Sequence, residues 1–316
     1  MRLLKNKLLW RDSFFCTLLT LAVSGIFLVF FINLDVLNPF YKAFKDFSFT
    51  DIYYSTYDNT SVSKDIIIVN IKQSDRFTIA QAIDKVQQQE PKVIGLDIVF
   101  KDLKHPLVDS ILKQSLNSNS NIVKAYYEEG DSIVGNNSYF KSYQDIEGFI
   151  NVNLSGQNAV IRDFIGINDK DKPSFATQIA LQAGQLEAKR LKQLKEQMPI
   201  NYYGNKDNFL TFDIDELLEL EAIPVLKDAI VIFGYLGTPS GNKYDIEDKH
   251  FTPLNKKYAG RSSPDMFGVV IHANIIKMLI DDTIITKIPR FFINSIALIC
   301  CFITIFFGIQ IGRAHV

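Results

Sequence analysis

Cysteine is scarce in this chain of 316 residues: Cys16, Cys300 and Cys301 are the only three. All sit in apolar runs near the termini, so no disulfide can staple the segment between them, which must stand on its own core. Cys300 and Cys301 are adjacent, diverge on a helix and precede no further ligands. They read as apolar filler rather than a metal pair. A surplus of either charge is also missing: 34 Lys and Arg stand against 35 Asp and Glu. That balance argues against a nucleic-acid partner, which requires a basic face. No internal repeat or low-complexity linker divides the chain. Catalytic signatures are absent too, with no G-x-S-x-G elbow, no H-E-x-x-H pair and no thiol outside the apolar runs. The expectation is a protein that is not an enzyme, with no catalytic residues, no cofactor and no metal.

What the chain does have is two charge-free apolar runs, Ser13–Leu34 and Phe291–Gly312, one at each end. Each is long enough to cross a bilayer, which takes about 20 apolar residues. Arg2, Lys5, Lys7 and Arg11 precede the first run with only Asp12 against them. That bias holds residues 1–12 in the cytoplasm and exports the segment beyond the first run. A cleaved signal peptide would need a small-residue cleavage site, and Phe30–Leu34 offers none. Pro289 suits a helix entry before the second run, which is too long and too free of charge for an ordinary core helix. The expected layout has five parts: a cytoplasmic basic end (1–12), a span (13–34), an extracytoplasmic or periplasmic domain (36–285), a second span (291–312) and a short end (313–316). It places the protein in the inner (cytoplasmic) membrane, with lipid as one partner.

Between the runs the pattern alternates. Asp65–Ile71 and Lys92–Phe100 are β-branched runs of the kind buried on both faces of a sheet. Thr78–Glu90 lies between them, with apolar residues at Ile79, Ala82, Ile83 and Val86 and a stop before Pro91, which predicts a helix. Strand, helix, strand at this spacing is a parallel pair joined by a right-handed crossover. Leu107–Leu116 reads as a helix and Asn121–Tyr126 as a strand. Phe149–Asn153 and Ala159–Arg162 resemble a hairpin around Ser155–Asn158. Ser174–Glu196 reads as one long helix entered through Pro173. Ile200–Tyr203 and Ala229–Tyr235 are further strands, separated by a short helix at Ile214–Glu221. A polar loop, Leu236–Pro264, precedes a closing helix, Phe267–Asp281. Val36–Val62 is irregular and aromatic-rich, able to pack on the domain or to sit at the headgroup interface. The fold class is α/β: a single extracytoplasmic domain with a mainly parallel mixed β-sheet flanked by helices, plus two transmembrane helices.

Several segments then carry a resemblance. They are Asp65–Ile71, Lys92–Phe100, the Gly148-Phe149-Ile150-Asn151 turn with Arg162 behind it, and Pro173-Ser174-Phe175-Ala176. Ile200-Asn201-Tyr202-Tyr203-Gly204, Ala229–Gly234, Thr252-Pro253 and Gly268–Asn274 (GVVIHAN) complete the series. In this order they resemble the type-two CHASE domain (cyclases/histidine kinases associated sensory extracellular), a bacterial extracytoplasmic sensor, over about residues 36–285. The family's Trp-Pro-containing stretch after the first strand has only Asp75-Arg76-Phe77 here. The resemblance implies an unknown small-molecule or protein ligand outside the cell. It also implies further spans leading to a cytoplasmic kinase or cyclase domain or partner. Because the chain stops at Arg313–Val316, it is expected to be C-terminally truncated.

In an open parallel sheet, ligands sit beyond the carboxyl ends of the strands. Lys72 and Asp75 follow the first strand, Asp97 the second and Tyr126 the third, while Gly234 and Gly237 follow the strand at Ala229. Asp248 lies in the polar loop and His272 near the start of the last helix. These eight are the candidate ligand-binding residues. Asp97 interrupts an apolar run and needs a partner, which a ligand or a neighbouring backbone would supply. His272 fits a titrating or ligand-contacting group, or a histidine tied to a carbonyl. The spacing Gly234-x-x-Gly237-x-x-x-Gly241 lacks both phosphate-binding fingerprints, so turn formation explains it. Asp245, Glu247, Asp248 and His250 match no calcium loop and read as a solvated segment.

The leading expectation is a membrane-anchored sensory module of a signal-transduction receptor. Binding outside would bias two arrangements of the domain and so move the spans. A membrane-anchored α/β enzyme using Asp97 and His272, and a structural assembly protein, are the two alternatives.

Overall fold

The structure is a computed structural model and describes residues 2–32, 49–130, 132–152, 160–186, 188–242, 244–255 and 263–314. The expected aromatics up to Phe47, the turn Ser155–Asn158 and the last two residues of the first apolar run lie outside the described residues. The chain divides into two compact units, Met1–Ser48 with Lys287–Val316, and Phe49–Thr286.

The first unit is a pair of helices, α1 (Arg2–Ile32) and, at the far end of the chain, a helix over Arg290–Ala314. Within them, Lys7–Val29 and Arg290–Gly312 are each long and apolar enough to cross a membrane. Most of their large apolar side chains point outward, as lipid-facing residues do. Leu9, Ser13 and Thr17, one turn apart, are the buried face of α1. Both hydroxyls are satisfied within the helix, Ser13 Oγ donating to Leu9 O and Thr17 Oγ1 to Ser13 O, each at 2.8 Å. Trp10 packs on Phe302 and Phe306 with ring centres 5.5 and 5.2 Å away.

The second unit is a three-layer α/β domain. Helix α2 (Phe49–Thr56) leads into β1 (Ser63–Asn70), α3 (Arg76–Gln87), β2 (Val93–Leu96), α4 (Pro106–Asn117) and β3 (Ile122–Glu129). Short strands β4 (Ser132–Val134) and β5 (Ile146–Phe149) follow. After them come β6 (Asp163–Phe164), α5 (Phe175–Gln182), β7 (Met198–Pro199), β8 (Phe209–Asp213), α6 (Ile214–Glu219) and β9 (Ile230–Gly234). Strands β10 (Lys249–His250) and β11 (Met266–Phe267) precede α7 (Gly268–Ile280), and the helix over Arg290–Ala314 is α8. The main sheet runs β4-β3-β2-β9-β1-β8, with β5 also on β3, and every pairing but β3–β4 is parallel.

Period-two alternation along β1 assigns its side chains to two cores. Ile67 and Val69 join Ile79 and Ile83 of α3, Leu112 of α4 and Leu217 of α6. Ile66 and Ile68 join Phe175 and Ile179 of α5 and Val269 and Ile276 of α7. Connections from β1 and β2 therefore leave toward one face, while β9 leads to α7 on the other. Adjacent strands that diverge this way open a crevice at their carboxyl ends. Register places Asn70, Asp213 and Gly234 side by side at that end.

Four expected elements form differently. The long helix over 174–196 stops at Ala183, because Gly184 takes a left-handed φ of 67° and Gln185 N donates back to Ala180 O, a glycine-terminated helix end. A separate 3₁₀ stretch, Ala188–Lys195, follows. Ile200–Tyr203 is not a strand: Tyr54 OH donates to Ile200 O and accepts from Tyr202 N, and Asn274 Oδ1 accepts from Tyr203 N. Side chains thus consume the hydrogen bonds a ladder would use, and the strand forms later, as β8. The two arms of the expected hairpin pair elsewhere, Phe149 with Tyr126 and Ser174, and Val160 with Phe251. Lys92–Phe100 is a strand only over Val93–Leu96.

Candidate functional site

A residue that the pattern of the chain did not single out organises the carboxyl end of the sheet. Asn70 closes β1 and is fully buried. Its Nδ2 donates to Asp213 Oδ1 and Gly237 O, both at 3.0 Å. Its Oδ1 accepts from Lys72 N at 3.1 Å and Leu236 N at 2.9 Å. One amide side chain thereby fixes the loops after β1 and β9 and the end of β8. The only sequence signal for it is a polar residue ending an apolar run.

The eight expected site residues separate into two pairs, a cluster of three and one residue alone. Lys72 Nζ reaches Asp215 Oδ2 at 2.8 Å and Asp213 Oδ2 at 3.0 Å, and the hydrogen bonds it donates to Asp215, then Asp213, hold its pKa above the usual lysine value. Asp75 caps α3, accepting from Thr78 N at 2.8 Å, and that backbone bond holds its carboxyl below the usual range. Both line an open groove of about 630 Å³ beyond β1 and β2. Arg76, buried at the floor of this groove, donates to Asp109 and to Asp102 O and lies over the Phe100 and Phe140 rings. The groove is therefore preformed by a satisfied cation.

Asp97, Asp248 and His272 come together. Asp97 follows β2, its N–H donating to Phe233 O at 2.9 Å. The residue keeps a little accessible surface, but protein surrounds its carboxyl, and burial, then the Asp248 charge, pushes it up to about 8. His272, in the second turn of α7, is buried, lies edge-on to Phe175 with centres 5.4 Å apart, and leaves Nδ1 without a hydrogen-bond partner. Burial pushes its imidazole down to about 4, against the attraction of Asp248. Asp248 is exposed, and its charge acts on both groups. Its backbone is left-handed (φ 55°) and its O accepts from Gly268 N at 3.0 Å. Its carboxylate crowds Gly268, where a Cβ would lie 3.0 Å from Oδ2. His250 Nε2 stands 3.8 Å from Asp248 Oδ1. An acid held neutral and an imidazole held neutral, both short of partners, can exchange hydrogen bonds with a small polar group that reaches the crevice.

Tyr126 stands apart from that cluster. It lies on β3 against Phe149, its buried OH is without a partner, and burial, then Glu128 and Glu147, pushes it up to about 12. Gly234 and Gly237 have packing roles. A Cβ on Gly234 would stand 2.6 Å from Val269, so its absence lets α7 approach β9. Asp245 is likewise internal to its loop, accepting from Tyr235 OH and Thr238 N.

A second pocket, of about 430 Å³, lies beside the first turn of α7 and includes Lys206, Lys249 and Asp265. No sequence pattern pointed to it, since its residues are far apart in the chain. Among the described residues, no three His, Cys, Asp or Glu side chains are grouped to hold a metal ion.

The CHASE2 domain family model matches residues 17–312. It extends beyond the resemblance at 36–285, well into both terminal apolar helices. No curated protein and no solved structure matches the chain.

Proposed function

We propose that this chain, which belongs to the CHASE2 domain family, is the ligand-reading and membrane-anchoring part of a receptor. CHASE2 is a sensory extracellular domain family, and the two apolar terminal helices fit a membrane protein. The observation that carries the reading is the reach of the match over 17–312, which joins the α/β domain and most of both apolar helices in one family unit. In this reading the domain lies outside the inner membrane of a bacterium. A small molecule or protein partner engages the carboxyl-end rim at Lys72, Asp75, Asp97, Asp248 and His272. Occupancy favours one arrangement of the domain over another, and a ligand that bound both equally would transmit nothing. The shift passes to α1 and α8, and from there to a cytoplasmic kinase or cyclase.

The test uses the full chain in lipid nanodiscs, with Trp10→Cys and Phe306→Cys introduced after the native cysteines are replaced by serine. Compounds that raise the unfolding midpoint are expected to change the rate of disulfide formation between positions 10 and 306. They are also expected to act less on Asp97→Asn. Binding that never alters the cross-linking rate rules out coupling through the spans.

A further inference from the structure

We propose that the pocket beside the first turn of α7 binds a zwitterionic small molecule of the α-amino-acid class, with Lys249 and Lys206 holding its carboxylate and Asp265 its ammonium. The pocket measures about 430 Å³, within the range of about 300–1,000 Å³ typical of small-molecule sites. Its floor is apolar, formed by Met266, Phe267 and Val270. Two opposite charges face this floor. Lys249 Nζ lies 4.6 Å from the centre of the Phe267 ring and donates to Asn242 O at 2.6 Å. An ammonium has three donors, so others remain for a ligand. Asp265 accepts from Thr252 N at 2.8 Å and Thr252 Oγ1 at 2.5 Å, which leaves lone pairs on both oxygens.

Among the described residues, neither Lys249 nor Asp265 has an ion-pair partner. Lys206 pairs with its exposed neighbour Asp207, at 3.2 Å, and its stem lies along Gly241. Both central charges are half-buried in the pocket. Burial lowers the pKa of Lys249 and, against the Thr252 hydrogen bonds, raises that of Asp265 to about 6. Lys249 feels the charges of Asp245 and Asp265 but touches neither, and partly desolvated charges gain when something bridges them. A purely anionic ligand would meet Asp265, and a purely cationic one would meet the lysines. A molecule carrying both charges satisfies both walls, and the apolar floor accommodates its side chain. Asp97 does not line this pocket, so the inference stands apart from the rim.

Titration calorimetry of the full chain in detergent micelles tests it, with the common amino acids added singly as probes. At least one is expected to bind saturably, while propionate and ethylamine, which carry one charge each, do not bind. Asp265→Asn and Lys249→Met should each weaken the amino acid by about tenfold to a hundredfold, the effect of losing a charge-assisted hydrogen bond. Lys206→Met, at the exposed mouth, keeps the test open if either core substitution misfolds, and should also weaken binding. Tyr143→Ala, at an exposed position outside the pocket, should leave it unchanged. The proposal is overturned if no amino acid binds, if propionate or ethylamine binds as well, or if binding survives the pocket substitutions that fold.

Discussion

At the scale of single residues, the crevice stores an opposed pair of titrations. Asp97 keeps its proton in the fold up to about pH 8, whereas an unfolded aspartate loses it near about pH 4. Stability from this group is therefore full below about pH 4 and declines as pH rises toward 8. His272 acts the other way. Its folded pKa of about 4 lies below the unfolded value of about 6.5, so it costs stability as pH falls between those limits. The two oppose each other in the acid range, and Asp97 alone remains above it. The wild type is expected to lose on the order of 2 kcal/mol between about pH 6.5 and pH 8, while Asp97→Asn stays flat. Urea denaturation at several pH values reads this, and a parallel decline in the variant would refute the assignment. Arg162 offers a second case, donating from Nε and Nη2 to the two carboxylate oxygens of fully buried Asp51 at 2.8 and 2.7 Å. Arg162→Ala removes two charge-assisted hydrogen bonds from that buried carboxylate and should cost about 3–5 kcal/mol. Adding Asp51→Asn should recover part of the loss, which a double-mutant cycle of unfolding midpoints would show.

At the scale of elements, α7 does more than cover the sheet. Its buried Asn274 accepts from Tyr203 N at 2.7 Å and Gly204 N at 3.0 Å, and donates to Gly204 O at 2.9 Å. The Gly268–Asn274 stretch thus carries the polar group that replaces a strand partner for 203–204. Asn274→Leu should destabilise by about 2–4 kcal/mol through stranded backbone groups, with hydrogen exchange at Tyr203 and Gly204 accelerated before the rest of the domain. Uniform exchange would place the effect elsewhere. The same contact explains why apolar pattern misplaced this strand. Ile200–Tyr203 has β-type side chains, but its backbone bonds go to Tyr54 and Asn274 from distant elements. β8, with only Phe209 buried at its edge position, lacks the continuous apolar run that identifies central strands.

At the scale of the whole molecule, the family unit includes the α/β domain and most of both apolar helices. In the proposed arrangement, Arg2, Lys5, Lys7 and Arg11 at the start of α1 hold that end inside. Tyr143 is fully exposed on the domain. In a background with serine at positions 16, 300 and 301, a membrane-impermeant maleimide should label Tyr143→Cys on intact cells. Labelling only after lysis would reverse the orientation and remove the extracytoplasmic reading.

The amino-acid sequence alone determined the features that depend on runs of neighbouring residues. These are the two bilayer-length apolar segments, the β-branched central strands, the crossover helices and the family. It also marked Asp97 and His272, because a polar group inside an apolar run stands out without any knowledge of its neighbours. Tertiary structure decided the rest. It set the position of β9 between β1 and β2, the use of Asn70 as a junction, and the meeting of Asp97, Asp248 and His272. It also assembled Lys206, Lys249 and Asp265 into one pocket. The physical reason is that hydrophobic periodicity is a local property, whereas a site is made where loops from separate strands converge on one end of a sheet.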